Sequence, residues 1–433
     1  MRSAFLFASV AIAASAVAHA SPRDGQITLR VPEDHPTISA AIAAANAGDR
    51  IKVANGIYRE QLLIDKPLEI EGTSPEFTII DGAASDLPSL GQVRIVAAGD
   101  VEFSKFTIID PGSSPVTIDD VEYRFHTAIY TESPVADAIY EVHHTRMLRA
   151  GAGQSGEGYG VCSFGGLEHL HLHDCLIAEQ GHSALYTIDH AGPLTIEDNW
   201  LSLGTVGADV CFFEASYRMI DSPQRFRGNR IDMETPYSDV GFPHAVTVGG
   251  YGPNGGAAGF SDVVISGNLI ENINENRRGI ALSGTAGRTL RGCSIVNNEL
   301  VGHGGYTGIT VWGQCEDALV AHNLITGIDG LALGTPGTNG GIRLRTYGPG
   351  LSPVGTRIKN NTIEALRGIS VEGDSSASLI EDNRIRASGP ASVELGGASS
   401  ANSVIRNRLR SALGRGNQTV LDGGTGNIVR WNR

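Results

Sequence analysis

Along most of the chain, apolar and polar residues alternate in runs of four or five, each run ending at a polar corner. Alternation with period two sends successive side chains to opposite faces of a β-strand. Aligning the stretch "ISGNLI" (residues 265–270) with the rest of the chain exposes a frame: apolar, two variable residues, Asn, one variable residue, apolar. It recurs around Asn199, Asn229, Asn268, Asn298, Asn323, Asn361, Asn383, Asn407 and Asn432, with Phe106, Thr145 and Cys175 at the Asn position upstream. Successive positions lie 22 to 39 residues apart. A floor of 22 to 25 with occasional excess is the spacing of a solenoid coil that carries loops on some turns. Asn is expected at the corner because it tolerates the left-handed conformation and because stacked amides can bond one another.

Between the Asn frames another strand recurs, as in "GIALSG" (279–284), "GITVWG" (308–313), "GIRLR" (341–345) and "GISVEG" (368–373). Each coil therefore has a strand before the Asn, one after it and this third one. That pattern predicts an all-β parallel β-helix of about twelve coils, one per corner position from 106 to 432. The opening "HPTISAAIAAANAGDR" predicts a capping helix over 36–47, started by Thr37 behind Pro36, that covers the open first coil. This helix, with "AGDRIKVANGIYRE" and "IDKPLEIEG" after it, resembles the N-terminal cap of the right-handed parallel β-helix proteins of the pectin-lyase-like superfamily. The resemblance implies a right-handed β-helix with a long polysaccharide groove along the third strands. It specifies activity weakly, because the superfamily holds lyases, hydrolases, epimerases, esterases and non-catalytic members.

Residues 1–20 combine Arg2, an apolar run and a small-residue end at Ala18 and Ala20, which predicts a secretory signal and a secreted or periplasmic mature chain, a single β-helix domain over 21–433. No later segment has the roughly 20 uninterrupted apolar residues of a membrane span. A net charge of −14 argues against a nucleic-acid partner and leaves a polysaccharide or oligosaccharide as the expected substrate. The five cysteines are an odd number without CxxC spacing, which argues against a disulfide framework or a zinc–thiolate site. Oligomeric state is not legible here.

Placed in register, the third strands predict one outward column of Cys211, Thr247, Ala281, Thr310, Arg343, Ser370 and Glu394, and a second of Phe213, Gly249, Ser283, Trp312, Arg345 and Glu372. Trp312 and Phe213 would then offer platforms for sugar rings, and Arg343 with Arg345 would hold a carboxylate. A surface ladder pairing Arg345 with Glu372 is the alternative. The long insertion around "DVGFPHAVTVGGYGPNGG" sets His244 and Tyr251 at the two lips of the groove as candidate acid or base, with Glu214 and His182 nearby. These residues predict a lyase that cleaves a uronate-containing polysaccharide by β-elimination. A glycoside hydrolase using Glu214 with Asp209 or Asp239, and a non-catalytic glycan- or metal-binding β-helix, are the alternatives.

Absent motifs narrow the field. "GHG" (302–304) and "RIK" (357–359) occur in polygalacturonase-like order, but no "NTD" precedes them and the "DD" at 119–120 lies far upstream in the first insertion. The mature chain has only Lys52, Lys66, Lys105 and Lys359, none in a groove strand, so a lysine base is not expected. The stretch "LEHLHLHDCLI" (167–177) puts His169, His171 and His173 on one face of the strand before the corner. In register His173 follows His143 and precedes Glu197, a solvated polar ladder whose alternative is a zinc or copper site formed by those three. No cofactor is required by the pattern, although Asp119, Asp120 and Glu122 in the first insertion could hold Ca²⁺.

Overall fold

The computed structural model describes residues 25–82, 89–118, 121–151, 157–202, 204, 209–234, 243–249, 258–274, 276–329, 340–348, 350–412 and 414–433. The signal segment 1–20, Tyr251, Asp239, Asp119 and Asp120 lie outside them.

Three long, almost wholly parallel sheets run the length of the molecule. The corner sheet, of 15 strands, contains the strands that precede each Asn; the second sheet, of 14, contains those that follow it; the groove sheet, of 14, contains the third strands. Thr28–Val31, Arg50–Val53 and Leu68–Gly72 add three corner-sheet strands ahead of the repeat. A fourth, four-stranded sheet joins Met219–Ile220, Ala258–Phe260, Arg288–Arg291 and Cys315–Glu316.

Period-two alternation places the core inside the coil. In His169–His173 the two leucines are fully buried while the histidines face out. Leu172 stacks between Val142 and Ile196, Ile196 in turn on Phe226, and Phe226 on Ile265, so each rung buries its apolar side chain against the next. The helix runs Ile38–Ala44, shorter than 36–47, and the Thr37 hydroxyl accepts the Ala40 N–H at its start. The Glu60 carboxylate accepts the N–H groups of Ile38 and Ser39, at 2.9 and 2.8 Å, and Ile38, Ala41 and Ile42 are buried beneath.

The buried Asn side chains form a continuous ladder. Asn268 donates from Nδ2 to Asn298 Oδ1 (2.8 Å) and to the Phe226 carbonyl (3.1 Å), while its backbone N–H donates to the same Asn298 oxygen (3.0 Å). The left-handed corner falls one residue earlier than expected: Asp198, Gly228, Gly267, Asn297, His322, Asn360, Asp382 and Arg406 have positive φ, and the ladder Asn do not. A ladder Asn must aim its amide inward and along the axis, so the turn itself passes to its exposed predecessor. Cys175 stands at a ladder position, donating its N–H to Asn199 Oδ1 (2.9 Å) while its thiol takes the place of the amide donor toward the Val142 and His173 carbonyls (3.6 and 3.3 Å). All five cysteines are free and buried. No helix among the described residues is long and apolar enough to cross a membrane.

Candidate functional site

The groove sheet sets its outward columns by register. Cys211 pairs with Val246 and Phe212 with Thr247, one residue away from the expected alignment. A one-residue slip exchanges the faces of a strand. Phe213 therefore points into the core, edge-on to Phe226 with ring centres 5.9 Å apart, and is no platform for a sugar. Cys211 is likewise internal. Phe212 takes its place in the outer column, and Glu214 faces out opposite Gly249.

Corrected this way, the first column reads Tyr130, Cys162, Tyr186, Phe212, Thr247, Ala281, Thr310, Arg343, Ser370 and Glu394. Three of its first four members are aromatic. Tyr159 stacks on Tyr186 at 5.3 Å and Tyr186 on Phe212 at 5.5 Å, with interplanar angles of 16° and 13°. Phe164 meets Tyr186 edge-on, and His182 tilts against Tyr159 at 5.0 Å while its Nδ1 lies 2.9 Å from Ser183 Oγ. The expected columns began only at Cys211; carrying the alignment upstream through residues 157–164 and 183–188 would have found this strip.

At the edge of the same sheet a dyad forms. Asp209 Oδ1 accepts the His244 backbone N–H at 2.7 Å and lies 3.2 Å from His244 Nδ1. Burial pushes the Asp209 carboxyl up, but the charge of His244, hydrogen bonds from His244 and one from Thr247 outweigh it and hold the group below its ordinary range. His244 is itself 6% exposed. The next rung places Arg278 beside His244, with its guanidinium 4.7 Å over the Tyr306 ring. Burial lowers the pKa of Arg278, and the positive charges of Arg345 and Arg343 lower it further, against a raising influence of Tyr306 and Asp209. Arg278 was not singled out from sequence, because it stands just ahead of the "GIALSG" signature.

Arg343 and Arg345 do not form the expected clamp. Arg343 gives both guanidinium arms to Glu372, at 2.6 and 2.8 Å. Arg345 lies over the Trp312 ring at 4.7 Å, covering one face of the expected platform, and Tyr347 tilts against Trp312 at 5.3 Å. Arg343 stands three rungs from His244, about 14 Å along the axis. Glu214 is held by the Tyr186 hydroxyl at 3.0 Å and by Ser216 Oγ. The ladder of His143, His173 and Glu197 keeps the expected backbone register. Its side chains do not converge: His143 Nε2 turns to Glu102 (3.1 Å), and Glu197 turns to His171 (2.9 Å) and Arg227.

The stacked parallel sheets form a parallel β-helix, right-handed as parallel crossovers are, and residues 252–432 match the family described as right handed beta helix region. DFA-IIIase from Arthrobacter chlorophenolicus A6, solved without its lid in complex with GF2, is 13% identical over 93% of this chain and 98% of that one, with a TM-score of 0.52. The catalytic unit of a thermostable GH87 alpha-1,3-glucanase from Streptomyces thermodiastaticus strain HF3-3 is 16% identical over 90% of this chain and 65% of that one, also at 0.52. At these identities the likeness is one of fold. No curated protein matches the chain.

Proposed function

We propose that this chain is a carbohydrate-active enzyme that cleaves a uronate-containing polysaccharide or oligosaccharide by β-elimination, exported by the signal at 1–20. The Asp209–His244 dyad one rung from Arg278 carries the proposal. A glucanase catalytic unit on the same fold supports a glycan as the substrate class, and the half-buried Tyr186 and Phe212 rings, stacked over the buried Tyr159, provide an apolar strip against which sugar rings can pack.

Arg278 binds the uronate carboxylate and offsets the charge that builds on it when the C5 proton is lost. With His244 Nδ1 committed to Asp209, Nε2 accepts that proton, and Asp209 stabilises the imidazolium that results. The C5–H electron pair becomes the C4–C5 double bond, the C4–O bond breaks, and the glycosidic oxygen leaves with the bonding pair and takes up a proton from water, while His244 gives the C5 proton up to solvent. Hydrolysis by Glu214 and Asp209 fits less well. At about 3.3 Å per residue, five residues separate them by roughly 16 Å, against the ~5–9.5 Å of a glycosidase pair.

The test is ultraviolet absorbance of the unsaturated product with alginate, pectate, glucuronan and glycosaminoglycans. A rise with one polymer that disappears in Arg278→Gln supports β-elimination. No rise with any of them, together with new reducing ends on a neutral glycan, would make the enzyme a hydrolase. Binding without either signal would leave a glycan-binding module.

A further inference from the structure

On the outer face of the corner sheet, away from the groove sheet, four rungs carry ionisable side chains that interlock. Glu141 in Ile139–His143 lies directly beside His171 of the next rung, and Glu197 lies beside His173 on the rung after that. Glu141 Oε1 is 3.0 Å from His173 Nε2 and 3.9 Å from His171 Nδ1, and the two imidazole centres are 4.5 Å apart. One ligand atom from each of Glu141, His171 and His173 falls within 4.8 Å of the others.

The second nitrogen of each ring is also engaged. His171 Nε2 lies 2.9 Å from Glu197 Oε1, and His173 Nδ1 lies 2.8 Å from Asp174 Oδ2. Arg227 holds the other oxygen of Glu197. A metal-bound imidazole characteristically donates its remaining N–H to a carboxylate, which fixes the tautomer and raises the basicity of the ligating nitrogen. Here that outer pairing is complete for both histidines. The inner nitrogens of both rings lie toward one shared carboxylate oxygen, at 3.0 and 3.9 Å.

We infer that Glu141, His171 and His173 form a binding site for a divalent transition-metal ion, with zinc as the best match. Bonds of about 2.0–2.1 Å in a tetrahedron separate ligand atoms by about 3.3 Å, which the two measured separations of 3.0 and 3.9 Å bracket. Two imidazoles and one carboxylate suit zinc, whereas calcium and magnesium take oxygen sets. The fourth position falls to water. His143 stacks on His173 at 4.9 Å but commits Nε2 to Glu102 and sets Nδ1 2.8 Å from His144, so it packs beside the site without ligating. An ion here ties two coils together directly and a third through Glu197, which gives it a structural role independent of the groove.

The experiment is a titration of the untagged, chelator-stripped mature protein with zinc by calorimetry, and with cobalt(II) by visible absorption. The expected result is one ion per chain, intense four-coordinate cobalt bands and a raised melting temperature. Glu197→Gln should weaken zinc affinity about 10–100-fold, and His171→Asn with His173→Asn should abolish binding. Absence of stoichiometric binding, weak six-coordinate cobalt bands, or binding unchanged in the double variant would each overturn the assignment. Should the double variant misfold, the wild-type cobalt spectrum and Glu197→Gln decide the matter alone.

Discussion

Asn199, Asn229, Asn268, Asn298 and Asn323 occupy successive rungs of one buried column and repeat the same hydrogen bonds each time. Asp209, His244, Arg278 and Thr307 occupy successive rungs at the edge of the groove sheet, and no two are alike. The reason lies in the side chains. An amide carries donor and acceptor together, so it satisfies a copy of itself one coil away. A carboxylate or guanidinium stacked on its own copy meets only like charge at about 4.8 Å. Like charges do stack on this surface, Glu69 on Glu102 on Glu141 and Arg384 on Arg408, but they gain nothing from one another, and a column whose members all differ is one where chemistry can be placed.

Substitutions in the two columns should therefore separate activity from stability. His244→Ala should lower kcat for elimination by about 10²–10⁴, or ~3–5 kcal/mol, with a smaller loss of stability in chemical denaturation, about 1–3 kcal/mol, from the Asp209 carboxylate left without its imidazole. Asn268→Ala should do the reverse. It strips the acceptor from the Asn229 backbone N–H (2.9 Å) and from Asn229 Nδ2 (3.1 Å), and should cost about 2–4 kcal/mol in urea unfolding with kcat nearly intact.

Asp209→Asn links the two measurements. The Asp209 carboxyl is held below its ordinary range, so its stabilising contribution is present above about pH 4 and is lost as pH falls through the lower folded value. In the Asn variant that part of the acid slope should vanish from a series of melting temperatures taken between about pH 5 and pH 2. Its kcat should fall, but by less than in His244→Ala, because the imidazole remains. The smallest effect belongs to Phe212→Ala, which should raise KM about tenfold or less at unchanged kcat, the loss of one stacked ring face.

What was legible in the sequence divides along the same line. The Asn frame announces itself because each coil restates it, and the strands it predicts are those of the corner and second sheets. The groove was legible only where "GIxLxG"-like strands repeat. At "DVCFFE" four apolar residues run together, so alternation cannot say whether Phe212 or Phe213 faces out, and only the pairing of Cys211 with Val246 decides. Arg343 was correctly placed in an outward column, but its partner was mistaken. A guanidinium reaches diagonally across the sheet, so Arg343 rather than Arg345 captures Glu372. On the histidine face the backbone order of His143, His173 and Glu197 was readable, whereas the χ angles that bring Glu141 to His171 and His173 were not.

The ladder also makes the length of this protein a counted quantity. Asn361 hands Asn383 the same pair of bonds that Asn383 hands Asn407, at spacings of 22 and 24 residues. Each coil presents to the next the face it received from the one before. Duplicating or excising one coil between these positions would leave no amide orphaned and would lengthen or shorten the groove by a single rung. The binding surface can thus be tailored to longer or shorter chains by arithmetic on coils, without redesign of the interior.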